Sequence, residues 1–295
     1  MPELPDVCAY IEALERHVVG RPLEQVKILT PFLLRSYDPP LDTLFGRTVK
    51  DVRRIGKRIV LGFGDGLFLV MHLMIAGRLR WRGPGAKLGM GGKIVVATLH
   101  FPHGTLYFTE AGTRKRASLT VIRGEDALRA VDPGGIEPLQ ATFAEFDAAL
   151  RRENHTLKRA LTDPHLFSGI GNAYSDEILH AAQLSPLKKT QSIPEEESRR
   201  LYQAVRTTLA SWTDILRGEA GEGFPVKVTA FREGMAVHGR FGKPCPVCDA
   251  PVQRIVYAEN ECNYCARCQT GGKLLADRSL SRLLKADWPK SIDDL

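Results

Sequence analysis

Residues 245–268 read CPVCDAPVQRIVYAENECNYCARC, and they contain five of the six cysteines of the chain. Cys245 and Cys248 form one CxxC pair, Cys265 and Cys268 form another, and 16 residues separate the two pairs. This spacing is typical of sites in which four thiolates surround one tetrahedral Zn²⁺ ion. Because four thiolates leave the metal no open position for water, the sequence predicts one structural zinc and not a catalytic one.

The residues between the two pairs predict a β-hairpin. Residues 252–257 have the composition of a strand and residues 258–261 that of a turn, so the metal would hold a finger over residues 236–270. Cys262 lies outside the spacing and is expected to be a spectator, although it could compete as a ligand. The alternative is a set of buried thiols or a redox pair, but clustered cysteines in a chain without a secretion signal favour metal.

Upstream of the finger, residues 140–225 predict a helical domain. A turn sequence, Asp132-Pro133-Gly134-Gly135, precedes it, after which apolar residues recur at helical spacing. Ser192-Ile193-Pro194-Glu195 predicts a capping box that begins a long helix. Residues 218–223 predict a flexible loop at the end of that helix.

Residues 2–133 predict an antiparallel β-sandwich that opens with an amphipathic helix. Apolar residues recur at helical spacing at Val7, Ile11, Leu14 and Val18. β-rich runs follow at residues 58–63, 67–73, 94–101 and 105–109, separated by turns such as Asp65-Gly66. The predicted fold class is therefore α+β and multidomain, with a sandwich, a helical domain and a C-terminal zinc hairpin.

A tail, residues 271–295, follows the finger. Its leucines lie beside basic residues, and this pattern predicts an amphipathic helix that packs on the body of the protein. The residues concerned are Leu274, Leu275, Leu280, Leu283 and Leu284, with Arg278, Arg282 and Lys285.

The composition is that of a soluble chain with a basic surface. Its 43% hydrophobic content suffices for the cores of two or three domains. Lys and Arg outnumber Asp and Glu by 41 to 34, and the formal charge of +7 suits a polyanionic partner. No stretch approaches the roughly 18 apolar residues of a membrane span, so we expect a cytoplasmic protein with no membrane partner.

The opening Met1-Pro2-Glu3-Leu4-Pro5-Asp6-Val7 offers a nucleophile. Removal of Met1 would leave Pro2 with a free secondary amine, and an α-amino group has a pKa of ~8, far below the ~10.4 of lysine. Such an amine can attack a sugar carbon and form a cationic iminium, which favours strand cleavage by elimination. Glu3 could supply or relay protons. The alternative is an ordinary helix start, since Pro and Glu both favour the first helical turn.

Four features occur in order along the chain: PELPDV at residues 2–7, Gly56-Lys57, GIGNAYSDEIL at residues 169–179, and the four-cysteine finger. Together, over residues 2–270, they resemble the formamidopyrimidine-DNA glycosylase and endonuclease VIII family. The resemblance implies that Pro2 is the Schiff-base nucleophile and Glu3 the general acid, and that Lys57 serves the phosphates and the elimination.

The resemblance further implies that Asn172 lies in the turn of a helix-two-turn-helix element and holds a DNA phosphate. A glycine-rich turn that enters a helix presents amide donors and a positive dipole to an anion, which agrees with that role. The alternative is a tight turn between helices with no ligand.

Four further residues are predicted to bind DNA only because their positions match those of residues in the family. Lys158 matches a lysine on the preceding helix, and His72 matches a histidine before the loop that fills the gap left by the extruded base. Arg114-Lys115-Arg116 stands where the family has Arg-Arg-Phe, after a two-residue insertion. Arg116, in the place of the aromatic residue, would replace stacking on the estranged base with charge and hydrogen bonding, and Arg114 keeps the family's arginine.

Other positions depart from the family pattern. Asn260 stands where the finger hairpin usually carries an arginine, so we expect weaker dependence on the finger and cleavage that stops after β-elimination, unless Arg254 compensates. Ile75 stands where a methionine is usual, with Met74 beside it. Residues 218–227 are short for a loop that covers a flipped base, so the preferred lesion does not follow from the resemblance.

The sequence thus predicts a DNA repair glycosylase with abasic-site lyase activity. Its partner would be double-stranded DNA with damaged bases or abasic sites, and one active site needs only a monomer. Oxidised purines are favoured because PELP resembles the formamidopyrimidine branch, and oxidised pyrimidines are the alternative within the same chemistry. A catalytically silent damaged-DNA-binding protein and a zinc-ribbon regulator are the alternatives of other classes. In a prokaryote, we expect association with the nucleoid.

Overall fold

A computed structural model of the chain describes residues 1–86, 94–257, 260–277, 282–284 and 289–294. It divides into two compact units. The first unit comprises Met1–Pro133 and Trp212–Thr229, and the second comprises Gly134–Ser211 and Ala230–Leu295. The first unit is therefore built from two separate stretches of the chain.

The first unit contains two four-stranded antiparallel sheets, with strand orders β1-β6-β7-β5 and β2-β3-β4-β8. The predicted sandwich with an opening helix is confirmed. Its elements are α1 (Leu4–Val18), β1 (Gln25–Ile28), β2 (Asp51–Ile55), β3 (Arg58–Gly62), β4 (Leu67–His72), β5 (Gly77–Arg82), β6 (Val95–Phe101), β7 (Gly104–Glu110), β8 (Ser118–Arg123) and α2 (Glu125–Arg129).

Strands β3 and β4 are apolar on both faces because both faces are buried. One face, which includes Ile59 and Leu69, joins the main core, where Val7 and Leu14 of α1 also pack. The opposite face joins a second cluster formed by Val60, Phe68, Val70, Ile122 and Leu128, the last from α2. A strand covered on both sides has no need of polar alternation, which explains the continuous apolar runs in the sequence.

The second unit contains helices α3 (Phe143–Arg151), α4 (Leu157–Thr162), α5 (Asn172–Ala181) and α7 (Ala266–Thr270), and the hairpin of β9 (Gln253–Tyr257) and β10 (Asn260–Tyr264). Helix α6 (Glu195–Ala220) begins in this unit and ends in the first. No helix among the described ranges is long and apolar enough to cross a membrane.

The predicted capping box at Ser192 is wrong. Helix α6 begins at Glu195, and the amide of Ser198 donates to the carbonyl of Pro194, so Pro194 is the residue that precedes the first turn. The Ser192 hydroxyl instead donates to the carbonyl of Lys189, 3.1 Å away, within a short 3-10 turn. A serine can satisfy a local carbonyl as readily as a helix amide, and here the local turn prevails.

The loop predicted over residues 218–223 begins later than expected, because α6 continues to Ala220, and the chain after it contacts the first unit. Arg16 of α1 donates to the carbonyls of Gly221 and Gly223 at 3.1 and 3.2 Å. Phe224 lies against Tyr10, with ring centroids 5.7 Å apart. These contacts make residues 221–229 part of the first unit.

The tail contributes to the core of the finger. Leu274 and Ile292 are buried there beside Val252, Ile255 and Tyr264. Residues 289–294 return to the finger, where the Ile292 amide donates to the Gly272 carbonyl at 2.8 Å.

The helix expected in the tail is described only in part. Leu283 and Leu284 are 76% and 39% exposed, so the expected packing of these two leucines is wrong. Arg278, Leu280 and Lys285, which belong to the same prediction, lie outside the described residues.

Gly104 allows β7 to pass close to Trp81. A Cβ atom at this position would lie 2.4 Å from the indole and 2.6 Å from the Arg82 carbonyl oxygen. We expect Gly104→Ala to lower the free energy of unfolding by about 1–3 kcal/mol through overpacking. Gly83→Ala is the control, because a Cβ atom there meets nothing within 4 Å. Urea titration followed by Trp fluorescence would test this, and equal midpoints for the two variants would contradict it.

Candidate active site and metal centre

The beginning of the chain is buried at the start of α1. Pro2 is buried, and Glu3 and Asp6 are only 3% and 2% exposed. Glu3 occupies the N-cap position, and its amide donates to the Asp6 carboxylate at 3.0 Å. Two carboxylates are thus held beside the chain terminus by the geometry of the first helical turn.

The terminal amine has a pKa below its ordinary value of 8.0. Burial is the largest cause, since it disfavours the charged form, and the positive charges of Arg78 and Lys57 act in the same direction. The carboxylates of Glu3 and Asp6 oppose the shift. In the structure this amine belongs to Met1, and removal of Met1 would create a new terminal amine on Pro2, one residue along the chain. More of such an amine is unprotonated and nucleophilic at neutral pH.

The charge of Lys57 acts both on this terminus and on His72. Lys57 follows Gly56 in the two-residue turn between β2 and β3, where Gly56 adopts a φ of +58° that favours glycine. Burial lowers the pKa of His72 to about 4, and the charges of Arg58 and Lys57 contribute. His72 is therefore neutral at physiological pH, so it can make hydrogen bonds to DNA but brings no charge.

The loop between β4 and β5 presents Ile75 at its tip. Ile75 is 55% exposed, whereas Met74, with a φ of +53°, is half-buried. The Gly77 amide closes the loop by donating to the Leu73 carbonyl at 2.9 Å. Ile75 is therefore the side chain of this loop best placed to enter a DNA duplex.

Arg114 and Arg116 are both exposed on a loop fastened by Glu110. The buried Glu110 carboxylate accepts hydrogen bonds from the amides of Arg116 and Ala117 at 2.8 and 3.1 Å. Glu110 also lies opposite Gly77 in the pairing of β5 and β7. Glu110 was not predicted from the sequence, where its only signal is a carboxylate at the end of a strand.

In the second unit, Asn172 is the first residue of α5, and its side-chain amide donates to the Glu261 carbonyl of the hairpin at 2.8 Å. The ammonium of Lys158 donates to the Asn172 carbonyl at 2.7 Å and to the Ser175 hydroxyl at 2.8 Å. It also forms an ion pair with the buried carboxylate of Asp176. Lys158 thus fixes the turn that carries Asn172.

Two carboxylates that hold the chain before the finger were also not predicted from the sequence. The Glu177 carboxylate accepts hydrogen bonds from the amides of Ala236, Val237 and His238 at 2.7, 2.9 and 2.8 Å. The His238 ring lies 2.8 Å from the Asp176 carboxylate. Burial would raise the pKa of Asp176, but Lys158 and His238 outweigh it and lower that pKa. Nothing local in the sequence relates these positions.

The sulfur atoms of Cys245, Cys248, Cys265 and Cys268 all lie within 4.8 Å of one another. The Cys248 and Cys265 sulfurs are 3.4 Å apart, and those of Cys245 and Cys268 are 3.9 Å apart. Tetrahedral zinc with bonds of about 2.3 Å requires sulfurs ~3.8 Å apart, so these four residues fit the ion. A zinc ion here holds the finger and supplies no reactive position.

Cys262 lies on β10 and is not a member of the cluster. Its thiol is buried, and burial raises its pKa well above the ordinary value, which favours the protonated form. This environment agrees with the predicted spectator role.

The hairpin offers little to replace the missing arginine. Asn260 begins β10, and its side chain lies outside the described residues. The Arg254 guanidinium lies 4.3 Å from the centroid of the Phe241 ring and 3.5 Å from the Glu261 carboxylate. Since a carboxylate already faces Arg254, this residue is a weak substitute for an unpaired phosphate-binding arginine.

Comparison with known proteins agrees with this geometry. Residues 1–133 match the family model of the formamidopyrimidine-DNA glycosylase N-terminal domain, and residues 135–217 match that of the formamidopyrimidine-DNA glycosylase H2TH domain. The formamidopyrimidine-DNA glycosylase of Desulforamulus reducens is 31% identical over 283 residues, which cover 91% of this chain and 99% of that protein.

Solved structures are similar to this chain over the same share of its length. The MutM (Fpg) protein of Thermus thermophilus superposes with a TM-score of 0.75 at 32% identity, covering 91% of this chain and 98% of that one. The Lactococcus lactis Fpg, solved in complex with abasic-site-containing DNA, superposes with a TM-score of 0.79 at 25% identity and covers 91% and 99%. The chain belongs to the formamidopyrimidine-DNA glycosylase family and is a DNA repair enzyme, a glycosylase and abasic-site lyase with a structural zinc finger.

Proposed function

We propose that Pro2, exposed as the chain terminus once Met1 is removed, is the nucleophile, and that the substrate is duplex DNA with an oxidised purine or an abasic site. The observation that carries this proposal is the burial of Pro2 beside Glu3, at a terminus where the amine of Met1 already has a pKa below its ordinary value. An amine with a larger unprotonated fraction at neutral pH is the reagent that Schiff-base formation requires.

The reaction follows from these groups. The Pro2 nitrogen attacks C1′ of the damaged nucleotide, and the bond to the base breaks with its electron pair leaving on the base, which takes up a proton. Glu3 protonates the ring oxygen as the sugar opens, which leaves an iminium between C1′ and Pro2. Loss of a proton from C2′ then expels the 3′ phosphate with its bonding electrons, and water releases the enzyme. Lys57 stabilises the phosphate charge near this site.

The other predicted residues bind DNA. His72 serves as a neutral hydrogen-bonding group, and Arg114 and Arg116 offer exposed guanidinium groups to the backbone or the estranged base. Asn172 and the first amides of α5 receive a phosphate at a helix N-terminus. Lys158 acts there by holding Asn172, since its charge already faces Asp176. The formal charge of +7 favours this association.

Oxidised purines are the proposed lesions because the chain retains the PELP opening and because the relatives bear the name of formamidopyrimidine, a ring-opened purine. The enzyme would act as a monomer on DNA in the cytoplasm, or on the nucleoid of a prokaryote. These assignments rest on the relatives, whereas the nucleophile rests on the terminus itself.

Borohydride trapping tests the nucleophile. We expect the chain without Met1 to form a covalent adduct with abasic duplex DNA, because borohydride reduces the iminium to a stable amine. A Pro2→Gly variant is expected to lose most of the adduct, and a variant that retains Met1 is expected to form none. An adduct of equal yield in all three proteins would contradict the role of Pro2, and its absence in all would favour a silent binding protein.

Lesion preference is tested with matched duplexes. We expect release of 8-oxoguanine or a formamidopyrimidine to be at least about tenfold faster than release of an oxidised pyrimidine, a difference of about 1.4 kcal/mol in transition-state binding. Single-turnover rates measured on the same sequence context would give the ratio. A ratio below one would show that pyrimidine lesions are the preferred substrates, and it would not affect the assignment of the nucleophile.

The metal prediction compares two cysteines of the same finger. We expect Cys265→Ser to lose bound zinc and to weaken DNA binding at least tenfold, because the hairpin that carries Glu261 loses its support. Cys262→Ser is the control, and it should retain one zinc per chain. Zinc measured by atomic emission and DNA affinity measured by fluorescence anisotropy would decide. Loss of zinc from both variants would contradict the spectator role of Cys262.

A further inference from the structure

Arg78 on β5 joins two loops of the first unit. Its Nε donates to the Val228 carbonyl at 2.6 Å, and its Nη1 donates to the carbonyls of Ile75 and Gly77 at 3.1 and 2.7 Å. Ile75 lies at the exposed tip of the loop between β4 and β5, and Val228 lies in the segment after α6. One side chain therefore connects two stretches that are 150 residues apart in sequence.

The geometry depends on the shape of the guanidinium group. Arginine presents five N–H donors in a planar fork, so it can bind several carbonyls in fixed directions at once. Lysine carries the same charge on a flexible stem and lacks that fork. Arg78 is therefore not interchangeable with lysine, and this difference separates the effect of its geometry from that of its charge.

Residues 221–229 have three points of attachment to the first unit. Arg16 holds the carbonyls of Gly221 and Gly223, and Phe224 packs on Tyr10. Arg78 holds the third point at Val228. The Tyr10 hydroxyl accepts a hydrogen bond from the amide of Leu79, the residue after Arg78 on β5. The contacts made by Phe224 and Val228 are therefore connected through β5.

Arg78 is also one of the charges that act on the chain terminus. The charged groups acting on the terminal amine are Glu3 and Asp6, which favour its protonated form, and Arg78 and Lys57, which disfavour it. Of the two cations, Arg78 has the larger influence. The same residue thus contacts both loops, and its charge acts on the amine of Met1, the residue before the proposed nucleophile.

We propose that Arg78 is a positioning residue with two separable effects. Its planar guanidinium group holds the Ile75 loop and residues 221–229 around the extruded nucleotide, and its positive charge acts on the amine at the chain terminus. The second effect rests on the proposed function. Neither effect requires Arg78 to contact the DNA. Loss of the fork should impair steps that need a positioned lesion, whereas loss of the charge should change the pH dependence of Schiff-base formation.

Two variants separate these effects. Arg78→Gln removes both charge and fork, and Arg78→Lys retains the charge alone. Arg82→Gln is the matched control, since Arg82 lies on the same strand and face and its Nη1 donates to the carbonyl of the adjacent Trp81. Two rates would be measured for each protein without Met1: excision of 8-oxoguanine in single turnover, and borohydride trapping on abasic duplex between pH 5.5 and 9.

Arg78→Gln should lower excision by about 10- to 100-fold, because small displacements of a reacting group have effects of that size. It should also raise the pH midpoint of trapping, as expected when a like charge near an amine is removed. Arg78→Lys should lower excision but keep the wild-type midpoint, and Arg82→Gln should match wild type in both.

Several results would overturn the role of Arg78. These are an Arg78→Gln variant with wild-type excision and midpoint, an Arg78→Lys variant whose midpoint moves with that of Arg78→Gln, and an Arg82→Gln variant that reproduces the effects. Thermal unfolding of each variant would identify a loss of fold, which would itself raise the midpoint by exposing the terminus, so midpoints are compared only among variants that remain folded. Absence of trapping by the wild-type chain would instead overturn the proposed function.

Discussion

The burial of Pro2 and Glu3 at the start of α1 is the constraint on which the proposed chemistry of the first unit depends. Chain ends are ordinarily solvated and mobile, but here Pro2 and Glu3 are buried at the start of α1. Removing an amine from water disfavours its charge, so a terminal amine at this place has a larger unprotonated fraction than one in solution. The sandwich supplies the surroundings of this group, with Lys57 on the β2–β3 turn and Arg78 on β5. Asp6 completes the arrangement because its carboxylate satisfies the Glu3 amide.

Local patterns in the sequence predict most of the secondary structure. Apolar periodicity identified α1, and β-rich runs between turns identified β3, β4, β6 and β7. Cysteine spacing identified the finger, because metal ligands must come from short turns with fixed geometry. The start of α6 was missed since the Ser192 hydroxyl binds the nearby Lys189 carbonyl. The anchoring of residues 221–229 was missed because Arg16 and Arg78 are remote in sequence.

The residues of the candidate site likewise divide into those that could be predicted from the sequence and those that could not. Pro2, Glu3 and Lys57 could be proposed because each belongs to a short motif whose chemistry can be stated without knowing the fold. The carboxylates of Glu110 and Glu177 could not, since each acts by accepting backbone amides from another segment. A carboxylate that fixes a loop looks in the sequence like any solvated acid. Sequence therefore identifies reagents more readily than it identifies the groups that position them.

The zinc site takes no part in the reaction, but it can still affect a binding site. The four cysteines hold the finger, whose hairpin pairs Glu261 with Val256, and this pairing places the Glu261 carbonyl. That carbonyl accepts one N–H of the Asn172 amide. Because a carboxamide is planar and has two N–H donors, one bond fixes the plane and directs the second donor. The metal thereby acts on the predicted phosphate site through one hydrogen bond, and a closed four-thiolate centre suffices for this because the finger needs rigidity and not reactivity.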